Sequence, residues 1–326
     1  MSWFAAGSAM LLPFALALDM MLGDPDWLWR RAPHPVVLFG RLIGWLDRKF
    51  NRGASDLGKR LAGVAALLLL IAAAGLAAAS LHWLCGQIPF GAAVEVLAVA
   101  ALLAQRSLYD HVRRVYAAFE DGGLAAARKA VSHVVGRDPN ALDTSGVCRA
   151  AIETTAENFS DGVVAPAFWY LVAGLPGIAI YKAVNTADSM IGHRSARYRA
   201  FGWASARLDD AMNVIPARLS GVFTVLAAPL MGALMRDAWR VMLRDAHLHR
   251  SPNAGWPEAA TAGALGIAIA GPRVYATGPV SDPFVNDEGR KDLHPQDIDN
   301  ALRLFLAACA VQWVFCAALA LSVLWR

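Results

Sequence analysis

Three apolar stretches, each long enough to cross a bilayer, dominate this 326-residue chain: residues 3–22, 61–85 and 301–325. The hydrocarbon core of a bilayer takes roughly 20 residues of α-helix, and a spanning segment must satisfy its backbone hydrogen bonds internally. A fourth apolar stretch, 88–104, is shorter, carries Glu95 and follows the second after a two-residue turn. We therefore expect an all-α polytopic membrane protein with about four transmembrane helices, the second and third forming a helical hairpin.

The composition indicates large polar loops as well. Hydrophobic residues make up 57% of the chain and charged residues 17%, and the mean hydropathy is +0.40. A chain of this composition is too apolar to be an ordinary soluble domain and too polar to consist of transmembrane helices alone. The net charge of +4 is spread over loops without a basic block, which argues against nucleic acid as a partner. No internal repeat or low-complexity linker divides the chain, so we expect a single membrane-embedded domain over residues 1–326.

Basic residues predict the orientation of the hairpin. They lie in the loops on both of its sides: Arg30, Arg31, Arg41, Arg48, Lys49, Arg52, Lys59 and Arg60 before it, and Arg106, Arg113, Arg114, Arg128 and Lys129 after it. By the positive-inside rule both loops are cytoplasmic, so the N-terminus and the Gly86-Gln87 turn face the periplasm. We expect a multi-pass membrane protein whose polar region, nearly all of residues 105–300, is cytoplasmic.

Two further apolar stretches are interrupted. Residues 163–184 contain Gly174, Pro176 and Gly177, which leave two halves of about ten residues, each too short to span. A re-entrant hairpin is the expected result, since broken helices are tolerated where they line a protein cavity. Residues 214–235 are followed by a basic loop, which argues against a periplasmic end, so we expect this segment also to be buried without crossing.

Polar side chains are concentrated between Glu153 and Arg218. They are Glu153, Glu157, Asn158, Ser160, Asp161, Asn185, Asp188, His193, Arg194, Arg197, Arg199, Arg207, Asp209, Asp210, Asn213 and Arg218. Such groups are costly to desolvate near a membrane unless they hold something. Carboxylates suit Mg²⁺, and guanidinium groups suit phosphate or carboxylate. This polar island therefore predicts a site for charged substrates at a membrane surface.

The first part of the island lies on a predicted amphipathic helix over residues 143–159, with Asp143 as its N-cap. Glu153 and Glu157 are one turn apart and share a face. Like carboxylates on one face are often simply solvated, but Asp161 follows directly beside apolar sequence, which favours a shared cation. The polar residues after Glu157 are expected to end this helix against the apolar segment.

The second part shows the same kind of spacing. Asn185 and Asp188 are three residues apart, and Asn213 lies one turn after both Asp209 and Asp210. Acid and amide groups therefore point the same way on each helix. Mg²⁺ uses one or two carboxylates and takes water and phosphate oxygens at its other positions.

Simpler structural roles compete with these interpretations. The Gly23-Asp24-Pro25 turn presents Asp24 and His34 at the interface, but Asp24 is equally suited to capping a turn and His34 to bonding backbone. Arg207 with Asp210 has the spacing of a surface ion pair of little energetic value.

Four long motifs carry a family resemblance. They read LDMMLGDP, HPVVLFGRLI, AIETTAENFSDGVVAPAFWYLVAGLPGIAIYKAVNTADSMIGHRSARYRAFGWASARLDDAMNVIPARLSG and SPNAGWPEAATAGALG. In these motifs, and over nearly its whole length, the chain resembles the CobD/CbiB family of cobalamin biosynthesis, adenosylcobinamide-phosphate synthase. The resemblance implies an inner-membrane enzyme that joins adenosylcobyric acid to (R)-1-amino-2-propanol or its O-phosphate. The product is an amide at the f propionate, and ATP is hydrolysed.

That chemistry suggests roles for the island. A carboxylate must be activated before it forms an amide, so ATP and Mg²⁺ must bind close to it. The chain lacks a G-x-x-x-x-G-K-S/T loop, so we place ATP at the island. The expected metal ligands are Glu157, Asp161, Asp188, Asp209 and Asp210. The expected nucleotide and phosphate contacts are Arg194, Arg197 and Arg199, with Asn158, Asn185, Asn213 and Arg218. The catalytic candidates are His193 or Lys182, as acceptor of the proton of the incoming ammonium, with Asp24 and His34.

Two other classes of protein stay open. Acid and amide groups at helix ends also hold Mg²⁺-diphosphate in an intramembrane prenyl or phosphoalcohol transferase. A non-catalytic membrane sensor or transporter is the third class, although the long charged segment favours catalysis, since a transporter would place paired charges inside its spans. Other late cobalamin-pathway membrane enzymes are further candidate partners.

Overall fold

The structure is a computed structural model that describes residues 3–53, 55–132, 142–193, 195–275, 278–280 and 282–325. Its helices are α1 (Trp3–Leu22), α2 (Asp26–Trp29), α3 (Pro35–Phe50), α4 (Asp56–Cys85), α5 (Gly91–Ala100), α6 (Gln105–Val131), α7 (Thr144–Phe159), α8 (Ala165–Ile191), α9 (Trp203–Ala227), α10 (Met235–Asp245), α11 (Gly255–Leu265) and α12 (Pro295–Leu324). Its strands are β1 (Ile269–Ala270), β2 (Arg273–Tyr275), β3 (Gly278–Val280) and β4 (Phe284–Val285). Within the described ranges the strands form two antiparallel pairs, β1 with β4 and β2 with β3. The predicted all-α class is confirmed.

Five helical stretches are long and apolar enough to cross a membrane. Judged by length and composition, they are Asp56–Cys85, Gly91–Val131, Thr144–Ile191, Trp203–Met231 and Pro295–Leu324, and a shorter apolar helix covers Gly7–Leu22. The chain is therefore a polytopic membrane protein, as the sequence predicts. Two of the five stretches include the segments expected to be buried without crossing, and whether they cross stays a prediction.

The chain forms two compact units. The first comprises Met1–Ala104, Ala165–Asn213 and Phe315–Arg326, and the second comprises Gln105–Val164 and Val214–Val314. Two of the boundaries between the units fall inside α9 and α12, and the other two fall at the starts of α6 and α8. The sequence pattern does not indicate this division.

The hairpin of α4 and α5 is confirmed, with a shorter second arm than expected. A tight turn joins the two helices, and Phe90 in it has a φ of 62°. A Cβ on Gly91 would lie 1.7 Å from the carbonyl oxygen of Cys85, so only glycine permits this approach. Helix α5 is 10 residues long, which is roughly 15 Å and half a bilayer core.

The predicted break in the next apolar segment is also confirmed. Within α8 the backbone leaves helical geometry at Ala173 and at Gly174, whose φ is 63°. A Cβ on Gly177 would come within 2.2 Å of the carbonyl oxygen of Trp169. Residues eight apart in an unbroken helix are separated by about 12 Å, so the two halves of α8 turn sharply against each other.

Buried side chains from α3, α4, α8 and the start of α9 form the core of the first unit. One cluster joins α3 and α4 to the second half of α8, and includes Ile43, Leu70 and Ala187. Another includes Tyr181 of α8 and Met212 of α9. Helix α1 packs against α5 and α8. This core holds the polar ends of α8 and α9 in fixed positions.

In the second unit α7 packs against α6 and α11, and α10 packs along α11. Helix α7 begins as predicted, because the Asp143 carboxylate accepts a 2.7 Å hydrogen bond from the N–H of Gly146. Helix α7 also ends at Phe159 as predicted, but the polar residues that follow do not take the chain out of helical form. The backbone continues through a π-helical turn, Ser160–Val164, whose backbone groups can pair five residues apart instead of being left unpaired.

Candidate functional site

The first unit brings five of the predicted site residues together around a buried carboxylate. Asp209 of α9 is 8% exposed and accepts hydrogen bonds from the side-chain amides of Asn185 (3.2 Å) and Asn213 (3.1 Å). The Tyr181 hydroxyl donates a 3.0 Å bond to the Asn213 amide oxygen. We call Asp209, Asn185, Asn213 and Tyr181 the Asp209 cluster. It shows that α8 and α9 face each other with the polar sides predicted from their spacing.

Negative charge accumulates at this cluster. Asp188 and Asp210 both repel the Asp209 carboxylate electrostatically. Asp210 also lies 3.7 Å from Arg207, the ion pair weighed from the sequence. The two hydrogen-bond donors to Asp209 are neutral amides, which stabilise the carboxylate but carry no opposite charge. A set of carboxylate and amide oxygens is what a hard divalent cation such as Mg²⁺ prefers.

The geometry limits how such a cation could bind. Among the described residues no group of three or more His, Cys, Asp or Glu side chains is arranged to hold a metal ion. Mg²⁺ does not need a cage of this kind, because it binds through one or two carboxylates and completes its shell with water and substrate phosphates. The Asp209 cluster therefore fits a cation that arrives with a phosphate, and not a permanently caged one.

The arginines expected to bind phosphate have carboxylate partners in the first unit. Arg197 lies 2.6 Å from the buried Asp47 of α3, which also accepts a bond from Tyr198, and Arg199 lies 3.4 Å from Asp56 of α4. The hydrogen bond to Asp47 raises the pKa of the Arg197 guanidinium above its usual value. These pairs orient both side chains. The third arginine, Arg194, lies outside the described residues.

The catalytic candidates occupy different settings. His193 is exposed on a bend after α8, and Lys182 is partly buried on α8. His34 accepts a 3.2 Å hydrogen bond from the N–H of Val36 at the start of α3, and its other ring nitrogen lies 3.3 Å from Asp24. The alternative structural role considered for His34 is therefore present. The catalytic roles of these residues stay predictions.

The remaining predicted residues belong to the second unit. Glu157 is exposed, the Asn158 amide donates to the Thr154 carbonyl at 2.9 Å, and Asp161 is partly buried in the π-helical turn. Glu153 accepts a 2.7 Å hydrogen bond from the N–H of Ala270, and whether it shares a cation with Glu157 stays a prediction. That bond holds the start of the β1 and β4 pair against α7.

Two features of this unit were not anticipated from sequence. The guanidinium of Arg218 stacks 4.5 Å from the ring centroid of Trp256 and donates to the Val214 carbonyl, so part of its surface is already occupied. The Ser160 hydroxyl is buried and has no hydrogen-bond partner among the described residues. π-Helical turns are frequent at functional sites, and this one carries Asp161.

Sequence reasoning missed a second buried carboxylate cluster in the first unit. Glu95 of α5 is 5% exposed, accepts a 2.9 Å hydrogen bond from the Tyr170 hydroxyl, and lies 2.8 Å from the Nδ1 atom of His82. We call these three residues the Glu95 cluster. The signal was an acidic residue inside an apolar segment. Its partners could not be found without the turn of the hairpin and the break in α8.

Comparison with known proteins assigns the chain to a family. A model of the CobD/Cbib protein family matches residues 12–305. The chain is 52% identical over 317 residues to a cobalamin biosynthesis protein CobD from a Sinorhizobium species, covering 96% of this chain and 98% of the relative. It is 48% identical over 304 residues to the protein of the same name from Rhodobacter capsulatus, covering 93% and 94%. No solved structure matches the chain.

Proposed function

Since the chain belongs to the CobD/Cbib family, we propose that it acts in cobalamin biosynthesis as an ATP-dependent amide ligase. Its substrates would be adenosylcobyric acid and (R)-1-amino-2-propanol or its O-phosphate, and its product an amide at the f propionate. The chain is similar to relatives named for this pathway over nearly their full length, which supports a role in the same pathway. The particular reaction is the one that the resemblance to this family implies, and the residues of the Asp209 cluster suit its chemistry.

One observation carries the reaction most directly: the buried Asp209 carboxylate held by Asn185 and Asn213 beside Asp188 and Asp210. A carboxylic acid does not condense with an amine at neutral pH, so its leaving oxygen must first be transferred to a phosphate or a nucleotide. Bound Mg²⁺ would supply charge neutralisation on the phosphates of ATP. Asp209, Asp188 and Asp210 would bind that cation, and Asn185 and Asn213 would hold the Asp209 carboxylate in position.

The neighbouring residues then take defined roles. Arg197 and Arg199 orient the phosphates of ATP or of the phosphorylated amine, and Arg194 is proposed for the same task on sequence grounds alone. His193 or Lys182 accepts a proton from the ammonium, so that the free amine attacks the activated carbonyl carbon. The carbon–nitrogen bond forms as the carbon–oxygen bond to phosphate or AMP breaks. In the second unit, Glu157 and Asp161 are proposed as further cation ligands.

The direct test is amide formation by the full-length protein. Purified protein is incubated with adenosylcobyric acid, ATP, Mg²⁺ and the amine with or without its phosphate, and the product mass is measured. Product should require both ATP and Mg²⁺. Asp161→Asn and Asp210→Asn should each remove most activity while leaving the protein inserted in the membrane. Equal product without ATP, or ATP consumption independent of the corrinoid, would refute the ligase.

A Mg²⁺-dependent prenyl or phosphoalcohol transferase is the second candidate, because the same acid and amide groups suit a diphosphate. The assay above separates the two, since a transferase releases diphosphate or a phosphoalcohol from a lipid-like substrate and ignores the corrinoid. A sensor or transporter would turn over neither substrate.

We also propose that the protein lies in the bacterial inner membrane with the Asp209 cluster facing the cytoplasm, as the loop charges favour. Single cysteines introduced at positions 24, 86, 161 and 209 and treated with an impermeant reagent would test this. Position 86 should react from the periplasm, and positions 24, 161 and 209 only after permeabilisation. Labelling of 161 and 209 from opposite sides would make residues 163–184 a true span.

A further inference from the structure

Helix α10 of the second unit has three distinct faces. Its inner face packs closely, since a Cβ on Gly263 would come within 2.9 Å of the Ala238 Cα, and one on Gly221 within 2.7 Å of the Met242 sulfur. Beside that face Met235, Trp239 and Leu243 are all exposed. These three side chains are four residues apart, so they form one apolar strip along the helix.

A basic strip follows on the far side of the apolar one. Arg236, Arg240 and Arg244 each come one residue, and hence about 100° of helix rotation, after an apolar strip residue. Arg240 lies 3.7 Å from Asp237, and Arg244 pairs with Asp245 and Glu288. All three arginines are exposed, and Arg236 has no ion pair among the described residues.

The apolar strip continues from a candidate membrane span. The stretch Trp203–Met231 is long and apolar enough to cross, and its end exposes Leu226 and Leu230. The chain turns at Gly232, whose φ is 75°, and Leu234 is again exposed before α10 begins. Exposed apolar side chains therefore continue from the end of this candidate span to the apolar strip of α10.

We propose that α10 lies in the plane of the membrane, with its apolar strip at the acyl boundary and its basic strip on anionic phospholipid headgroups. An 11-residue helix is about 16 Å long and cannot span, but its amphipathic pattern, tryptophan and arginines are those of interfacial helices. The Asp245 carboxylate accepts a bond from the N–H of Asn286 at 2.8 Å. The segment that follows β4 is thereby held near the headgroups. This surface is separate from the proposed reaction.

The test uses full-length protein in vesicles of phosphatidylcholine, with and without phosphatidylglycerol. Spin labels are placed at Met235→Cys and Leu243→Cys, with Asp292→Cys as an exposed polar control in the same unit; the four native cysteines are buried. Labels at 235 and 243 should collide more with oxygen than with a water-soluble nickel chelate, at depths of about 5–10 Å. The control should show the reverse.

Lipid charge supplies the second readout. Spin-labelled phosphatidylglycerol should associate preferentially with the wild-type protein, and Arg236→Gln should lower that preference about fivefold. Labels at 235 and 243 as open to nickel as the control would overturn the proposal. Labels protected from both reagents would also overturn it, because they indicate a covering protein surface. A lipid preference unchanged by Arg236→Gln would overturn the headgroup contact.

Discussion

Glu95 and Asp209 are two buried carboxylates in the same unit, yet their partners differ. Glu95 receives the Tyr170 hydroxyl on one oxygen and faces the His82 imidazole with the other. Asp209 accepts hydrogen bonds from two neutral side-chain amides, at 3.1 and 3.2 Å, and two further carboxylates repel it. An imidazole can take up positive charge, whereas an amide cannot.

We propose that this difference separates a structural carboxylate, Glu95, from a cation-binding one, Asp209. Burial of a charge is tolerated when opposite charge or several hydrogen bonds compensate for it. The Glu95 cluster contains that compensation and joins α4, α5 and the first half of α8. Asp209 is bonded by neutral amides and is repelled by Asp188 and Asp210, so a cation from outside is the complement that we propose for it. Replacing each carboxylate by its amide should therefore give opposite results.

Asp209→Asn should have the largest effect, a loss of amide-forming activity on the order of a hundredfold or more. It removes the charge that binds the cation and relieves the repulsion from Asp188 and Asp210, so the unfolding midpoint should stay the same or rise. Activity and thermal unfolding are measured on the same preparation. Glu95→Gln, the matched control, should keep activity. If Asp209→Asn remains active at low Mg²⁺, the Asp209 cluster is structural.

Arg197→Lys tests the ion pair between Arg197 and the buried Asp47, a carboxylate that, unlike Asp209, has a cationic side chain as its partner. If Arg197 receives phosphate, lysine should raise the KM for ATP or the phosphorylated amine about ten- to hundredfold, because it keeps the charge but loses the two-pronged contact. Asp47→Asn frees the guanidinium and should leave that KM unchanged or lower it. If both variants instead raise the KM and lower stability alike, the Arg197 to Asp47 pair is purely structural.

Tyr181→Phe and Tyr170→Phe form a matched pair, since both tyrosines are fully buried on α8 and each supports one of the two carboxylate clusters. Tyr181→Phe removes the bond that orients Asn213, and should raise the Mg²⁺ concentration for half-maximal activity about tenfold. Saturating Mg²⁺ should restore the rate. Tyr170→Phe should leave the Mg²⁺ dependence unchanged. Equal Mg²⁺ curves for the two variants would contradict the assignment of Tyr181 as a positioning residue.

Glu95→Ala should act on stability instead of activity. It leaves the buried Tyr170 hydroxyl without its acceptor, which costs about 1–3 kcal/mol. The thermal midpoint should fall, while the activity of the protein that remains folded should stay within about twofold of wild type, the range expected when no reacting group is touched. A complete loss of activity in a stably folded variant would show that the Glu95 cluster takes part in the reaction.

Asp245 gives the smallest expected effect and extends the comparison to the second unit. Burial raises the pKa of Asp245, but hydrogen bonds from Arg244 and the N–H of Asn286 outweigh it, and the net pKa lies below the usual value. The lowered pKa means that its stabilisation is present above the pKa of the unfolded chain, about 4, and is lost as the pH falls through the folded value. Wild-type protein should therefore lose more stability than Asp245→Asn between pH 5 and 3. Parallel declines in thermal unfolding would contradict the pairing.

Much of the fold could be predicted because it follows from local rules. Apolar length predicted α1, α4 and α12, and the glycines and proline of residues 163–184 predicted the break in α8. Side-chain chemistry at fixed spacing predicted the Asp143 cap. The secondary-structure prediction failed where the backbone took a conformation that the residue types do not indicate. The π-helical turn at Ser160–Val164 is the clearest case, since polar residues there suggested a helix end.

The candidate site divides in the same way. Spacing placed Asp209 and Asn213 on one face and Asn185 and Asp188 on another, because helical periodicity is a property of the sequence. Whether those faces meet depends on how α8 folds back and where α9 packs, and the pairing of Arg197 with Asp47 joins residues 150 positions apart.

The sequence by itself determined that this chain is a helical membrane protein of the CobD/Cbib family, because the length of an apolar segment and a long motif both depend only on consecutive residues. Only the tertiary structure decided which carboxylates are compensated. Glu95 and Asp209 look alike as acidic residues in or beside apolar helices. Their charges are balanced or unbalanced by side chains from other helices, such as Tyr170 and Asn185, and a distant partner enters the local environment only once the chain is packed.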